Sequence, residues 1–95
     1  MQEKSLEQWA EKEIRKRAGL ALKWVCPGQR GVPDRICLFP NGRLIFIEFK
    51  RPGIQSDGRS ALQLKMAKRL TTLGFTVWRI SSKEDLLQRL DDYEV

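Results

Sequence analysis

The sequence predicts an α/β domain in which helices flank a mixed sheet, with elements in the order α-β-β-β-α-β-α. Three observations carry that prediction. Apolar residues recur at helical spacing in three separate stretches, near the start, after the middle and at the end of the chain. Four short apolar runs of strand length lie between those stretches. One pair of runs is joined by Asn41-Gly42, the strongest short hairpin signal.

Taken in order, a first helix is expected to start at Ser5, which forms a capping box with Gln8. Leu6, Trp9, Ala10, Ile14 and Ala18 supply its apolar face, and Gly19 is a natural stop. Leu20 to Cys26 reads as a strand, and the Gly- and Pro-rich segment Pro27 to Pro33 as a loop. Asp34 to Phe39 and Leu44 to Lys50 form the hairpin strands around Pro40-Asn41-Gly42-Arg43. Arg51 to Arg59 is a second loop, expected to order on DNA. Ser60 and Gln63 make a capping box for a helix through Leu73, with Leu62, Met66, Leu70 and Leu73 as its stripe and Gly74 as its end. Phe75 to Ile80 is a fourth strand, and Ser81 with Glu84 caps a last helix through about Leu90.

Composition narrows the chemistry. Ninety-five residues fit one domain, residues 1–95, with a modest core. Eighteen Lys and Arg against twelve Asp and Glu leave a formal charge of +6, which favours a polyanionic partner, nucleic acid first. The absence of histidine excludes His-based triads, imidazole bases and His-metal motifs. Cys26 and Cys37 are too few for a disulfide framework or a thiolate zinc site, and both are expected as buried thiols in strands. No run reaches the ~20 apolar residues of a membrane span, and the start lacks a secretory pattern, so a cytoplasmic protein without membrane contact is expected. Hydrolytic chemistry in such a chain must rest on carboxylates, lysine and a metal.

The informative segment is Pro33-Asp34, followed after thirteen residues by Glu48-Phe49-Lys50. Strand alternation puts Glu48 and Lys50 on one face with Leu44 and Phe46, and Ile45, Ile47 and Phe49 on the other. A carboxylate and an amine thus end a strand that is otherwise apolar on both faces, and buried charges need partners or a metal. Asp34 and Glu48 can offer oxygens to a hard cation such as Mg2+. Such an ion would acidify a water and polarise a phosphate, with Lys50 steadying the developing charge. Taken singly each residue reads as a strand-end surface group; together they point to catalysis.

Geometry adds a condition. A two-residue Asn41-Gly42 turn would pair Arg35 with Glu48 and turn Asp34 to the wrong face. If Asp34 is a ligand, the register must shift by one, through a three-residue loop with Gly42 left-handed or through a bulge near Asp34.

Gly31-Val32-Pro33-Asp34-Arg35, then Ile47-Glu48-Phe49-Lys50, then Gln63, resembles the VRR-NUC (virus-type replication-repair nuclease) family of the PD-(D/E)xK superfamily, across nearly the whole chain. The resemblance implies a restriction-endonuclease-like core. It implies metal ligation by Asp34, Glu48 and the Phe49 carbonyl, with Lys50 as catalytic lysine and Mg2+ or Mn2+ as cofactor. It also implies a metal-side glutamate on the first helix. Glu7 matches best by spacing, with Glu11 and Glu13 as rivals; Glu13 could instead pair with Arg17. Gln63 resembles the supporting glutamine of the superfamily, and it is equally placed to be a capping residue. Arg35 completes the motif or forms a structural ion pair.

Arg30, Arg35, Arg51, Arg59, Lys65, Lys68 and Arg69 are candidates for DNA contact, mainly to phosphates. Leu64 and Trp78 are expected to be exposed and to mark an interface. A single active site acting on two strands needs two copies, so a homodimer is expected, and the family resemblance implies small phage proteins acting on Holliday junctions or other branched DNA. The expected function is a metal-dependent DNA endonuclease. The alternatives are a non-catalytic DNA-binding module with the same fold and a phage structural protein, and metal-dependent cutting lost in Lys50→Ala separates the first from both.

Overall fold

A computed structural model describes residues 2–51 and 58–95. The greater part of the predicted Arg51 to Arg59 loop, and with it the expectation that it orders on DNA, lies outside the described residues. The elements are α1 (Glu3–Lys16), β1 (Leu20–Lys23), β2 (Arg35–Phe39), a 3-10 turn (Pro40–Gly42), β3 (Arg43–Phe49), α2 (Ala61–Thr72), β4 (Thr76–Ile80) and α3 (Lys83–Asp92). This is the predicted order. The sheet runs β1-β2-β3-β4 in space, antiparallel across the first two pairings and parallel between β3 and β4. A parallel pairing needs a crossover, and α2 provides it.

The two faces of the sheet differ. Leu6, Ala10 and Ile14 of α1 and Leu86 and Leu90 of α3 are fully buried against Ile45, Ile47 and Phe49, as strand alternation requires. Full burial of each such side chain is worth roughly 1.5–3 kcal/mol, so this face holds most of the core. The other face carries α2, whose Ala67 and Leu70 are buried. Beside it Trp24 stacks on Phe46 at 5.1 Å, and Phe75 meets Phe46 edge-on at 5.6 Å.

Several local expectations are corrected. Helix α1 begins at Glu3 with Gln2 as an N-cap that makes no side-chain bond, so Ser5 lies within the helix. Its acidic first residue suits the positive end of the helix dipole. At its other end Ala18, not Gly19, takes the left-handed conformation (φ 63°). Gly19 is needed for room instead, since a Cβ there would stand 2.9 Å from Ile14 Cγ2 and from the Leu38 carbonyl oxygen. Strand β1 ends at Lys23, which leaves Cys26 in a loop and half-buried, while Cys37 is buried in β2 as expected. The cap of α3 is Ser82, whose Oγ accepts the Asp85 N–H, rather than Ser81. Trp78 is buried against Tyr93, whereas Leu62 and Leu73 of the predicted α2 stripe are exposed. Neighbouring polar residues misled the reading of Trp78, because alternation turns that one position inward.

The register condition is met by the loop. Phe39 pairs with Arg43 and Arg35 with Ile47, one residue off the two-residue-turn register. The connection is the three-residue Pro40–Gly42 turn, with Asn41 (φ 69°) and Gly42 (φ 71°) both left-handed. A Cβ on Gly42 would meet no atom within 4 Å, so any penalty there is backbone alone. Gly42→Ala is expected to lower stability by about 1–2 kcal/mol in urea unfolding, and Asn41→Gly to change it by much less.

Candidate active site

The shifted register decides what stands beside Glu48. One step beyond the Arg35–Ile47 pair, Asp34 lies opposite Glu48, and both belong to the face that carries α2. Pro33, fully buried and without an N–H to satisfy, leads into Asp34. Asp34 is then stitched to both neighbouring strands. Its carbonyl accepts the Trp24 N–H at 3.1 Å, and its Oδ2 accepts the Phe49 N–H at 2.8 Å.

Glu48 is the one buried charged side chain among the described residues, with 0 % exposure, and neither carboxylate oxygen has a hydrogen-bond partner among them. The Arg59 guanidinium stands 3.5 Å from its Oε2, an ion-pair separation too long for a strong hydrogen bond. Burial pushes the Glu48 carboxyl above its ordinary pKa; Arg59 and Lys50 pull it back down, and the Asp34 charge adds to the rise. A buried carboxylate that lacks donors beside a second carboxylate is chemically suited to a hard divalent cation, which accepts one or two carboxylates and completes its shell with water and phosphate.

Lys50 follows on the same face. Its Nζ donates to Gln63 Oε1 at 3.0 Å, while its N–H is fixed by the Ile80 carbonyl at 2.8 Å. Gln63 contacts Lys50 and also takes the capping position expected for it. The same Oε1 accepts the Ser60 N–H at 3.0 Å, and Ser60 Oγ accepts the Gln63 N–H at 3.1 Å, completing the capping box at the start of α2.

The other sequence-derived residues distribute more widely. Glu7 does not join Asp34 and Glu48; its Oε2 accepts from Arg35 Nε at 2.7 Å and from Lys23 Nζ at 3.2 Å, on the sheet face covered by α1. Among the described residues no three acidic or thiol side chains gather as a metal cluster. Arg35 takes the ion-pair alternative, adding a bond to the Ala21 carbonyl and a contact with Glu11 at 3.5 Å. Glu13 pairs with Arg17 and Glu11 with Arg15. Arg30, Lys65 and Arg69 line one hollow, and Lys65, Lys68 and Arg69 a neighbouring groove along α2. Arg51 is exposed at the end of the described segment. Cys37, its thiol pushed up to about 12 by burial, is chemically inert.

Sequence reasoning missed two contacts. One is the Arg59–Glu48 pair, for which spacing gave no signal. The other is at Gly31, read as a turning residue and as part of the motif but not as a point of contact. Its φ is +84°, and a Cβ would lie 2.5 Å from the Leu62 carbonyl oxygen and 3.0 Å from the Gln63 nitrogen. The motif glycine therefore lets the loop sit directly on the first turn of α2, beside the residue that holds Lys50.

Against known proteins, no family model matches the chain. A solved structure described as "VRR_NUC domain" superposes with a TM-score of 0.83 over 98% of this chain and 97% of that one, at 22% identity. The fold is therefore that of a VRR_NUC domain, an α/β core with a mixed sheet between helices. A protein of Acyrthosiphon pisum secondary endosymbiont phage 1, named "Putative nuclease p44", is 42% identical over 84 residues, which span 88% of this chain and 87% of that protein. The chain belongs to the same family as this small phage protein.

Two outcomes follow from this geometry. Gly31→Ala should lose about 1–3 kcal/mol in urea unfolding, because a left-handed backbone and a main-chain overlap act together. Glu48→Gln should raise the melting temperature of the protein in EDTA at pH 7.5, by the equivalent of about 1–3 kcal/mol. The folded state holds the Glu48 proton more tightly than the unfolded chain does. Wild-type stability therefore falls as pH rises from the ordinary glutamate pKa to the raised one, and stays low above it. The advantage of Glu48→Gln should shrink as melts are taken towards pH 4.

Proposed function

We propose that this protein is a metal-dependent DNA endonuclease that hydrolyses phosphodiester bonds, with Asp34, Glu48 and Lys50 at its centre. The observation that carries the reading is Glu48: a fully buried carboxylate whose two oxygens lack donors among the described residues, next to Asp34 and two residues from Lys50. A chain of +6 charge with Arg30, Lys65, Lys68 and Arg69 along one side of α2 offers the phosphate-binding surface such a substrate requires. The nuclease name of the phage relative supports the same class of activity.

Asp34 and Glu48 would hold Mg2+ or Mn2+, with the Phe49 carbonyl as a further oxygen ligand. When bound, the ion supplies an acidified water and polarises the scissile phosphate. The protein does the rest. The Phe49 N–H occupies Asp34 Oδ2 and so fixes the direction of the other Asp34 oxygen. Gln63 Oε1 orients Lys50 so that its ammonium can meet charge developing on the phosphate. The hairpin excludes water behind Glu48, which strengthens each of these interactions. Glu7, engaged by Arg35 and Lys23, would reach a metal only by leaving them. Cutting both strands, or a branched junction, would use two copies of the chain; exposed Leu20, Leu22 and Val25 offer apolar area for pairing.

The test is cleavage of labelled Holliday junction, forked, nicked and plain duplex DNA with Mg2+, Mn2+ or EDTA. The wild type should cut in either metal and not in EDTA, with branched substrates preferred. Lys50→Ala should lose on the order of 100- to 1,000-fold in rate. DNA binding by both proteins with no cutting under any condition would replace the enzyme reading with that of a binding module.

A further inference from the structure

We propose that Arg59 is a resident counterion that stands in the place of the cation at Glu48, and that loading the metal hands this guanidinium over to DNA. The proposal rests on the metal reading of the same site. The Glu48 carboxylate is wholly buried with no hydrogen-bond donor to either oxygen among the described residues, and the cationic group nearest to it in their ion pairs is Arg59 Nη1 at 3.5 Å from Oε2. The Arg59 side chain is only 20 % exposed. Lys50, also on this face, is turned to Gln63 Oε1, and Arg79 of β4 is the register partner of Glu48.

A buried carboxylate without donors is costly unless a positive charge is near. Arg59 meets that need at 3.5 Å, an ion-pair distance longer than that of a short charge-assisted hydrogen bond to the carboxylate. A divalent ion on Asp34 and Glu48 would satisfy the carboxylates better and repel the guanidinium. Arg59 lies just ahead of α2, the helix that carries Lys65, Lys68 and Arg69, and guanidinium groups suit phosphate oxygens. The released side chain is therefore placed to take up a DNA phosphate beside the metal. Metal and DNA binding would reinforce each other through one residue, which belongs to the positioning machinery and not to the reacting groups.

Titration of Mn2+ alone by calorimetry at pH 8, without DNA, tests the first half. Arg59→Gln should bind Mn2+ about five- to tenfold more tightly than wild type, because no resident cation has to leave. Arg59→Lys should stay near wild type, and Glu48→Gln should lose binding. Fluorescence anisotropy with labelled duplex in a Lys50→Ala background tests the second half. There Arg59→Gln should weaken DNA binding in Mn2+ and not in EDTA, and should reduce the salt dependence in Mn2+ by about one phosphate contact. Equal or weaker Mn2+ affinity in Arg59→Gln, with Glu48→Gln still abolishing binding, would overturn the counterion role and leave the metal site standing. Undiminished Mn2+ binding by Glu48→Gln would remove the metal reading itself. Equal loss of DNA affinity in EDTA and Mn2+ would overturn the handover.

Discussion

The arrangement turns on a carboxylate that is buried without a donor. A glutamate at the end of a central strand, closed off from water and offered no N–H or O–H among the described residues, raises the free energy of the folded chain. Stability alone would favour an apolar residue or a glutamine there. The neighbours of Glu48 make sense as responses to that constraint. Asp34 is brought alongside by a turn of the required length, while Arg59 and Lys50 supply positive charge from two directions. A broad apolar core on the opposite sheet face supplies the surplus that lets the site carry this strain.

Gln63 Oε1 joins structure to chemistry at a single atom. A carbonyl oxygen has two lone pairs, and here one receives the Ser60 N–H and the other the Lys50 ammonium. The bond that caps α2 thereby also sets the direction of Lys50. Gly31 makes the same connection from the far side, since its missing side chain allows the loop ahead of Asp34 to rest on the Leu62–Gln63 backbone. The Gly-Val-Pro-Asp segment and the glutamine opening α2, separated by 28 residues of sequence, meet in space at Gly31.

What was legible in the sequence followed from periodicity. The element order came from helical spacing and strand-length apolar runs; the assignment of Ile45, Ile47 and Phe49 to one face and Glu48 and Lys50 to the other, and the need for a shifted hairpin register, came from the two-residue repeat of a strand, and all were met by the structure. The Ser60–Gln63 box was visible because capping is local chemistry. Ends of elements were less legible. Ser5 and Ser81 looked like caps, yet helix starts depend on where the preceding backbone can bend, which residue type alone does not specify. Long-range ion pairs were not legible at all. That Glu7 meets Arg35 and Lys23, and that Arg59 reaches Glu48, depends on how helices and loops dock, and a sequence of long flexible side chains carries no record of which partner wins.

The mixed pairing of the sheet also sets a sequence of assembly. The hairpin that puts Asp34 beside Glu48 closes over a three-residue connection, so little chain entropy opposes it. The parallel partner β4 must wait for a crossover that includes all of α2, and Gln63 travels with that crossover. The two carboxylates can therefore meet early in folding, from local contacts, whereas the lysine gains its orienting partner only when the last strand docks.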